Sequence, residues 1–274
     1  MIIDSHQHFW NYSPADHTWI SEDMGVLKRD FLPDNFISLV EHHAITGTVA
    51  VQADQTEAET LFLLSLAKQF PFIKGVVGWV DLRDPNLTTK LHELQAHPQL
   101  KGFRHVVQSE LKGFLLDPKF ISGVSRLAEN GFTYDLLIYH HQLPEALAFA
   151  DQTRNVKIVV DHIAKPSIKT GEKTHWELNM AALSTFPNIS CKLSGMVTEA
   201  NWKNWSYEQI EPFMDEVFEA FGPDRIMYGS DWPVCLLAGS YDDQFSVVMK
   251  YISRLSDSEK RKVLGENAKR FYNL

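Results

Sequence analysis

The sequence predicts one (β/α)8 barrel, a closed cylinder of eight parallel strands in which a helix follows each strand. The chain has 274 residues, close to the roughly 250 that are typical of this fold. Eight apolar runs rich in β-branched residues alternate with helical patterns, and such runs are typical of strands buried on both faces. Because no repeat, low-complexity tract or linker interrupts this alternation, we predict a single domain over residues 1–274.

Each element is placed by its own local pattern. The predicted strands are the runs 2–9, 46–52, 73–80, 100–107, 133–139, 157–162, 189–193 and 225–230. Predicted helices occupy 35–43, 56–69, 87–96, 119–130, 144–153, 176–184 and 206–221, and two closing helices follow at 242–255 and 258–272. Several helices stop at Gly or Pro just before the next strand, as short loops between helix and strand tend to require; these stops are Asn130-Gly131, Phe186-Pro187 and Gly222-Pro223.

Composition excludes several classes of protein. Hydrophobic residues make up 44% and charged residues 22%, which is ordinary for a globular chain and excludes a mostly disordered one. A net charge of -9 without any basic run argues against a nucleic-acid partner. The N-terminus lacks a signal-peptide pattern and no apolar run approaches the ~20 residues that span a bilayer. We therefore expect a cytoplasmic protein with no membrane partner.

The two cysteines, Cys191 and Cys235, form no metal-type pair. We expect both to be reduced. A catalytic thiol at Cys235 is the alternative, but its apolar neighbours Leu236 and Leu237 favour an ordinary packed thiol.

A His-x-His pair lies on the first predicted strand. Residues two apart in a strand point the same way, so Asp4, His6 and His8 are expected to share one face. Two imidazoles on one face can hold one metal ion together. The alternative is a pair of structural, hydrogen-bonded histidines.

Two further polar side chains end predicted strands six and eight. His162 ends strand six and Asp231 ends strand eight, so both share the C-terminal rim with the strand-one histidines. In barrels of this kind the active site is built at that rim. Alternation from Asp231 back through Gly229 to Met227 predicts a glycine beneath the carboxylate, which would open space for a ligand. The alternative for Asp231 is a helix N-cap.

These motifs resemble the amidohydrolase superfamily, and specifically its branch of small single-domain lactonases and decarboxylases. The resemblance runs the whole chain, and within the branch it is closest to sugar lactonases such as the L-fuconolactonases and L-rhamnonolactonases. It rests on the opening Asp4-Ser5-His6-Gln7-His8-Phe9-Trp10, Trp19, Arg29-Asp30-Phe31 with Pro33, and the closing Gly229-Ser230-Asp231-Trp232-Pro233.

The resemblance implies a role for each rim residue. His6 and His8 correspond to the pair that binds a metal or the substrate carbonyl, His162 to the strand-six histidine and Asp231 to the general base. It also implies that these four residues can hold one divalent ion, with zinc favoured. The lactonase branch sometimes dispenses with metal, so the ion is expected to be dispensable.

The sequence departs from the superfamily pattern in two places. On strand four, where many members carry a bridging lysine, period-two alternation gives the inward position to Arg104, which argues against a binuclear centre. Strand five ends in Tyr139-His140-His141, so the usual single histidine there is ambiguous or replaced by Tyr139. Both departures weaken the expected metal site.

Together these residues predict a hydrolase that opens a small sugar lactone, an aldonolactone, to the free acid. Asp231 would take a proton from water and return it to the leaving oxygen, while the three histidines polarise the carbonyl directly or through one ion. Arg104 is expected to bind a hydroxyl or the product carboxylate, with an internal salt bridge as the alternative. The remaining predicted substrate contacts, whose aromatic members could equally be core, are Tyr139, Trp79, Lys192, Trp232 and Gln52.

Two other functions compete with this prediction. A metal-dependent decarboxylase of the same branch would use the same histidines and Asp231, but it would require its ion strictly. A non-catalytic carbohydrate-binding barrel would show no turnover on any lactone. The expected partner is the small-molecule lactone, and a homo-oligomer is compatible with the sequence.

Overall fold

A computed structural model describes residues 1–274 and contains one sheet of eight parallel strands whose spatial order follows the chain. The strands are β1 Ile3–Gln7, β2 Gly47–Val51, β3 Ile73–Gly78, β4 Leu100–Val106, β5 Thr133–Leu137, β6 Ile158–Val160, β7 Ile189–Leu193 and β8 Ile226–Tyr228. The first and last strands meet where Asp231 N donates to His6 O (2.8 Å) and His8 N donates to Trp232 O (2.7 Å). The predicted barrel is confirmed.

Helices surround this cylinder. They are α1 Pro33–His42, α2 Glu57–Gln69, α3 Leu87–Leu94, α4 Pro118–Glu129, α5 Leu143–Gln152, α6 Thr174–Ser184, α7 Tyr207–Phe221, α8 Tyr241–Ile252, α9 Asp257–Arg261 and α10 Asn267–Tyr272. The helix predicted over 258–272 is present, but a π-helical turn at Lys262–Glu266 lies between its α-helical parts α9 and α10. No helix has both the length and the apolar character needed to cross a membrane.

The interior of the barrel is packed at its N-terminal end. Inward side chains of several strands form one apolar cluster with residues of α10. Because α10 covers this end, the barrel is closed below and only its C-terminal mouth is open to a ligand. The cluster comprises Ile3, Val49, Val51, Val77, Val159 and Met227 from the strands and Ala268, Phe271 and Tyr272 from α10.

The larger apolar core lies between the strands and the helices, and α4 illustrates how the sequence builds it. Asp117 caps this helix by accepting from Lys119 N (2.9 Å). Phe120, Val124 and Leu127 recur at helical spacing and are buried. Gly123 lies on the same buried face, where a Cβ would come within 1.8 Å of the Leu82 carbonyl oxygen. The close approach of α4 to the chain after β3 therefore requires glycine.

We expect Gly123→Ala to lower the free energy of unfolding by about 2 to 3 kcal/mol, because the added methyl group must push α4 away from backbone atoms. The measurement is urea unfolding followed by circular dichroism. Gly25→Ala is the matched control, since a Cβ there meets nothing within 4 Å, and it should change stability by less than about 0.5 kcal/mol. Equal stability of the two variants would contradict the packing described.

Candidate active site

The strand-one histidines point into the mouth of the barrel. Their Nε2 atoms lie 3.2 Å apart, and both side chains are buried. The expectation that Asp4 shares their face is wrong, because the pairing of β1 with β2 shifts register between Asp4 and Gln7. Asp4 instead accepts from the Tyr241 hydroxyl of α8 at 3.2 Å. Because of this irregularity, the Asp4 carboxylate faces outward whereas the imidazoles of His6 and His8 face the mouth of the barrel.

Asp231 brings the predicted site together. Its Oδ1 lies 3.3 Å from His8 Nε2, 3.8 Å from His6 Nε2 and 3.8 Å from His162 Nε2. All four side chains are buried at the C-terminal ends of their strands. The structure therefore gathers the three histidines and the carboxylate at one mouth.

His162 lies beyond the observed strand, because β6 ends at Val160 rather than at the predicted residue 162. It begins a left-handed turn, residues 162–165, in which all four φ angles lie between 46° and 59°. Gly195, after β7, has a φ of 61° and would place a Cβ 2.6 Å from His162 Nδ1. Glycine is needed there both for its backbone conformation and for the space that the imidazole fills. Ser194 Oγ, 2.9 Å from the same nitrogen, fixes the ring.

Burial and charge set the protonation of these groups. Burial alone would raise the pKa of Asp231, but His162 and the other two imidazoles beside the carboxylate outweigh burial and hold the pKa well below its usual range. Burial lowers the pKa of His162 to about 4 and that of His6 well below its usual value. At neutral pH the site therefore combines an ionised carboxylate with neutral imidazoles at His6 and His162.

The space above these residues is a cavity of about 650 Å³. The expected ligand space over Gly229 does not exist, because the His6 Cβ already lies 2.7 Å from where a Gly229 Cβ would be. A ligand must therefore approach the rim residues from above. The cavity is lined by His8, His162, Asp231, Arg104 and Tyr139, together with Trp19, Lys165, Glu199 and Trp202 among others.

A buried charge network supports the site from below. Asp161 accepts from Arg104 Nη1 at 3.2 Å and from Lys192 Nζ at 3.0 Å, and its Oδ1 lies 3.2 Å from His6 Nδ1. Lys192 also pairs with Asp135 at 2.5 Å. Buried charges require such partners, because an unpaired one would carry a large desolvation cost. The network thereby fixes the orientation of His6.

The six predicted substrate contacts divide into two groups. Arg104 and Tyr139 line the cavity, and Arg104 also makes the internal salt bridge that was its alternative. The other four do not line it. Lys192 and Gln52 are wholly buried beneath the mouth, where Gln52 accepts from the Arg104 guanidinium.

The remaining two of these four are aromatic. Trp79 donates to His105 Nδ1 (3.3 Å), which faces away from the barrel interior. Trp232 packs among the apolar rings of Phe31 and Phe36, with ring centroids 5.3 Å and 4.7 Å away. Trp232 therefore has the core packing role that was its alternative. Trp79 is half-buried and lies outside the cavity.

Sequence reasoning overlooked several residues of the site. Asp161 was overlooked because the prediction gives the inward position to its neighbour His162, whereas alternation from Val159, which faces the interior, gives that position to Asp161. Lys165 and Glu199 lie in loops, where no periodicity indicates direction. Cys191 and Cys235 are buried free thiols, and burial raises the pKa of both, which does not favour a nucleophilic role.

The donor atoms fit one divalent ion. The nearest atoms of His6, His8 and Asp231 are separated by 3.2, 3.3 and 3.8 Å, and a tetrahedral site with bonds of about 2.1 Å has edges of roughly 3.4 Å. His8 Nδ1 lies 2.8 Å from the Val51 carbonyl oxygen. In the neutral tautomer it donates there and leaves Nε2 as an acceptor, the form in which histidine binds metal. This cluster of His6, His8 and Asp231 could hold a metal ion, and it does not include His162, the fourth predicted ligand.

Comparison with known proteins agrees with this architecture. The family model described as amidohydrolase matches residues 3–274. The chain belongs to the amidohydrolase family. Its resemblance to the sugar-lactonase branch is confirmed by a relative named L-fucono-1,5-lactonase from Burkholderia multivorans, 42% identical with 99% of this chain and 96% of the relative covered.

Two further similarities extend this result to a second species and to a solved structure. An L-fucono-1,5-lactonase of Burkholderia ambifaria is 33% identical, with 99% and 95% of the two chains covered. A crystal structure of a Burkholderia multivorans amidohydrolase with bound zinc has a TM-score of 0.97 and 42% identity, covering 100% of this chain and 99% of that one. The fold of this amidohydrolase is thus shared over its whole length.

We expect Lys192→Met to lower the free energy of unfolding by about 3 to 5 kcal/mol, because it leaves Asp135 and Asp161 buried without their shared cation. Chemical unfolding at pH 7 measures the change. Lys173→Met, which removes a half-buried lysine paired with Glu216, is the matched control and should cost less than about 1 kcal/mol. A similar small loss in both variants would show that the buried network contributes little.

Proposed function

We propose that this amidohydrolase opens a small sugar lactone, an aldonolactone, to the free acid. The observation that supports this most directly is the buried Asp231 carboxylate, within 3.8 Å of three imidazoles at the floor of a cavity large enough for a sugar ring. The relatives named L-fucono-1,5-lactonase support the substrate class.

In the proposed reaction, Asp231 takes a proton from a water molecule in the cavity while the water oxygen bonds to the lactone carbonyl carbon. The tetrahedral intermediate then collapses, and the bond between that carbon and the ring oxygen breaks. Asp231 returns the proton to the departing ring oxygen, which becomes the hydroxyl of the open acid. The carboxylate is regenerated in this step, so each turnover consumes one water molecule.

In this proposal, His162 stabilises the charge that develops on the carbonyl oxygen. The Ser194 hydroxyl can donate to its Nδ1 (2.9 Å), which leaves the Nε2–H as a donor toward the cavity. Arg104 Nη1 lies 3.3 Å from His6 Nε2 and adds a fixed positive charge close to the carbonyl oxygen of the bound lactone. Donors already oriented toward the developing charge require no reorganisation during the reaction.

A divalent ion held by His6, His8 and Asp231 would supply Lewis-acid polarisation of the carbonyl when bound. We propose zinc as that ion, since a similar amidohydrolase structure contains zinc. We also propose that the ion is dispensable, because a lactone is already activated relative to an amide and Arg104 supplies positive charge without it.

We expect Asp231→Asn to lower kcat/KM at least 10³-fold, because the amide cannot accept the proton from water. A pH-indicator assay over a panel of five- and six-membered aldonolactones measures the loss. Asp224→Asn, at an exposed carboxylate paired with Lys262, is the matched control and should retain full activity. An Asp231→Asn variant with near-normal turnover would rule out this residue as the base.

Removal of metal should reduce lactone hydrolysis less than tenfold. The same aldonolactone assay is run after dialysis against a chelator, with metal content measured in parallel. His162 and the Arg104 guanidinium remain in place without the ion, so most of the stabilisation of the carbonyl oxygen should persist. Complete loss of activity that one equivalent of zinc restores would show instead that the ion is essential.

A further inference from the structure

An ion pair on the cavity wall has no part in the proposed hydrolysis. Lys165 Nζ lies 2.8 Å from Glu199 Oε1, and the two side chains are 15% and 20% exposed. Both residues line the cavity that contains Asp231 and His162. A charged pair that is mostly withdrawn from solvent but faces the ligand space is available to bind a ligand.

The backbone holds Lys165 in place beside His162. Lys165 N donates to His162 O at 2.8 Å, which closes a turn of about three residues and brings the two side chains to the same side. Left-handed conformations cost roughly 1–2 kcal/mol per residue without glycine, yet residues 162–165 all adopt them. Strain of this kind is retained where function fixes the geometry.

Neighbouring side chains hold this turn. Trp176 Nε1 donates to Ile163 O at 2.7 Å, and His140 Nδ1 donates to Lys165 O at 2.9 Å. Glu199 is fixed from the other side, because Lys169 N donates to its carbonyl oxygen at 3.0 Å. The ion pair is therefore preorganised by the surrounding loops before any ligand arrives.

The pair has unused hydrogen-bonding capacity. Lys165 Nζ donates to no protein group other than Glu199, and Glu199 Oε2 accepts from none. Burial would lower the pKa of Lys165, but Glu199 and Asp231 outweigh it and the pKa is raised, so the ammonium group stays charged. Spare N–H donors thus lie next to a spare carboxylate oxygen.

Hydroxyl groups are the ligands that match this arrangement. A hydroxyl both donates and accepts, whereas an ammonium group only donates and a carboxylate only accepts. Two hydroxyls on adjacent carbons can therefore satisfy both members of the pair at once. Trp202, on the same wall, donates through Nε1 to Thr198 O at 2.8 Å and leaves its ring for the apolar face of a sugar.

We propose that Lys165 and Glu199 form the subsite that recognises adjacent ring hydroxyls and so selects a polyhydroxylated lactone over a deoxygenated one. This proposal rests on the proposed function and specifies its substrate class. A ring without hydroxyls would cover the Lys165–Glu199 pair without replacing the hydrogen bonds that the pair makes to water. Sites that hydrogen-bond a substrate hydroxyl strongly reject analogues that lack this hydroxyl.

The test compares an aldono-1,5-lactone with δ-valerolactone, which has the same ring size and no hydroxyls. For Lys165→Met we expect kcat/KM on the aldonolactone to fall at least 100-fold, mainly through KM. On δ-valerolactone, which offers the pair no hydroxyl, the change should be less than threefold. Lys173→Met, at a lysine outside the cavity, is the matched control and should leave both activities unchanged.

Glu199→Gln is the second variant, because it keeps the side-chain shape and one acceptor oxygen. Its kcat/KM should fall at least tenfold on the aldonolactone and stay unchanged on δ-valerolactone. Lys165→Arg should retain part of the kcat/KM on the aldonolactone that Lys165→Met loses. Circular dichroism tests whether each variant is folded. If Lys165→Met does not fold, the results for Glu199→Gln and Lys165→Arg decide whether the pair binds the ring hydroxyls.

Two outcomes would overturn the proposal that Lys165 and Glu199 bind the ring hydroxyls. Equal losses on both lactones would mean that Lys165 acts at the carbonyl, and no loss on either would mean that the pair does not contact the ring. Failure of the unmodified enzyme to open any lactone would overturn the proposed function itself. This outcome can be distinguished from failure of the subsite, because it is seen in the unmodified enzyme before any substitution is made.

Discussion

Asp161 is the carboxylate on which the buried centre of this barrel depends. It neutralises two cations, Arg104 and Lys192, and its Oδ1 lies 3.2 Å from His6 Nδ1. None of these interactions is shared with water, since Asp161 is 0% exposed. The same contacts that make the buried charges tolerable therefore also orient an imidazole of the candidate catalytic site, so charge burial and the geometry of the site depend on one residue.

The interior of the barrel has three layers along its axis. Apolar side chains and α10 close the N-terminal end, the charge network lies above them, and the histidines with Asp231 form the mouth. Tyr272 of α10 donates to Asp135 at 2.7 Å, so the end of the chain contacts the lowest member of the network. Chemistry is thereby confined to one opening, where the cavity receives the ligand.

Two candidate catalytic residues lie just past the ends of their strands, in left-handed backbone conformations: Asp231 has a φ of 57° and His162 one of 53°. Regular alternation cannot aim a side chain there, because each residue lies beyond the last rung of its strand. Hydrogen bonds from the neighbouring strand and loops aim them instead, such as the one from Asp231 N to His6 O (2.8 Å). Precise positioning is thus obtained at a cost in backbone strain.

The sequence by itself determined the eight strands and the meeting of His6, His8, His162 and Asp231, because parallel strands deliver their C-terminal ends to one rim. Only the tertiary structure decided which polar side chains reach the ligand. The register shift in β1 turned Asp4 away, the charge network took Lys192 out of reach, and two loops about thirty residues apart created the Lys165–Glu199 pair. Such outcomes depend on packing between distant segments, which no local periodicity encodes.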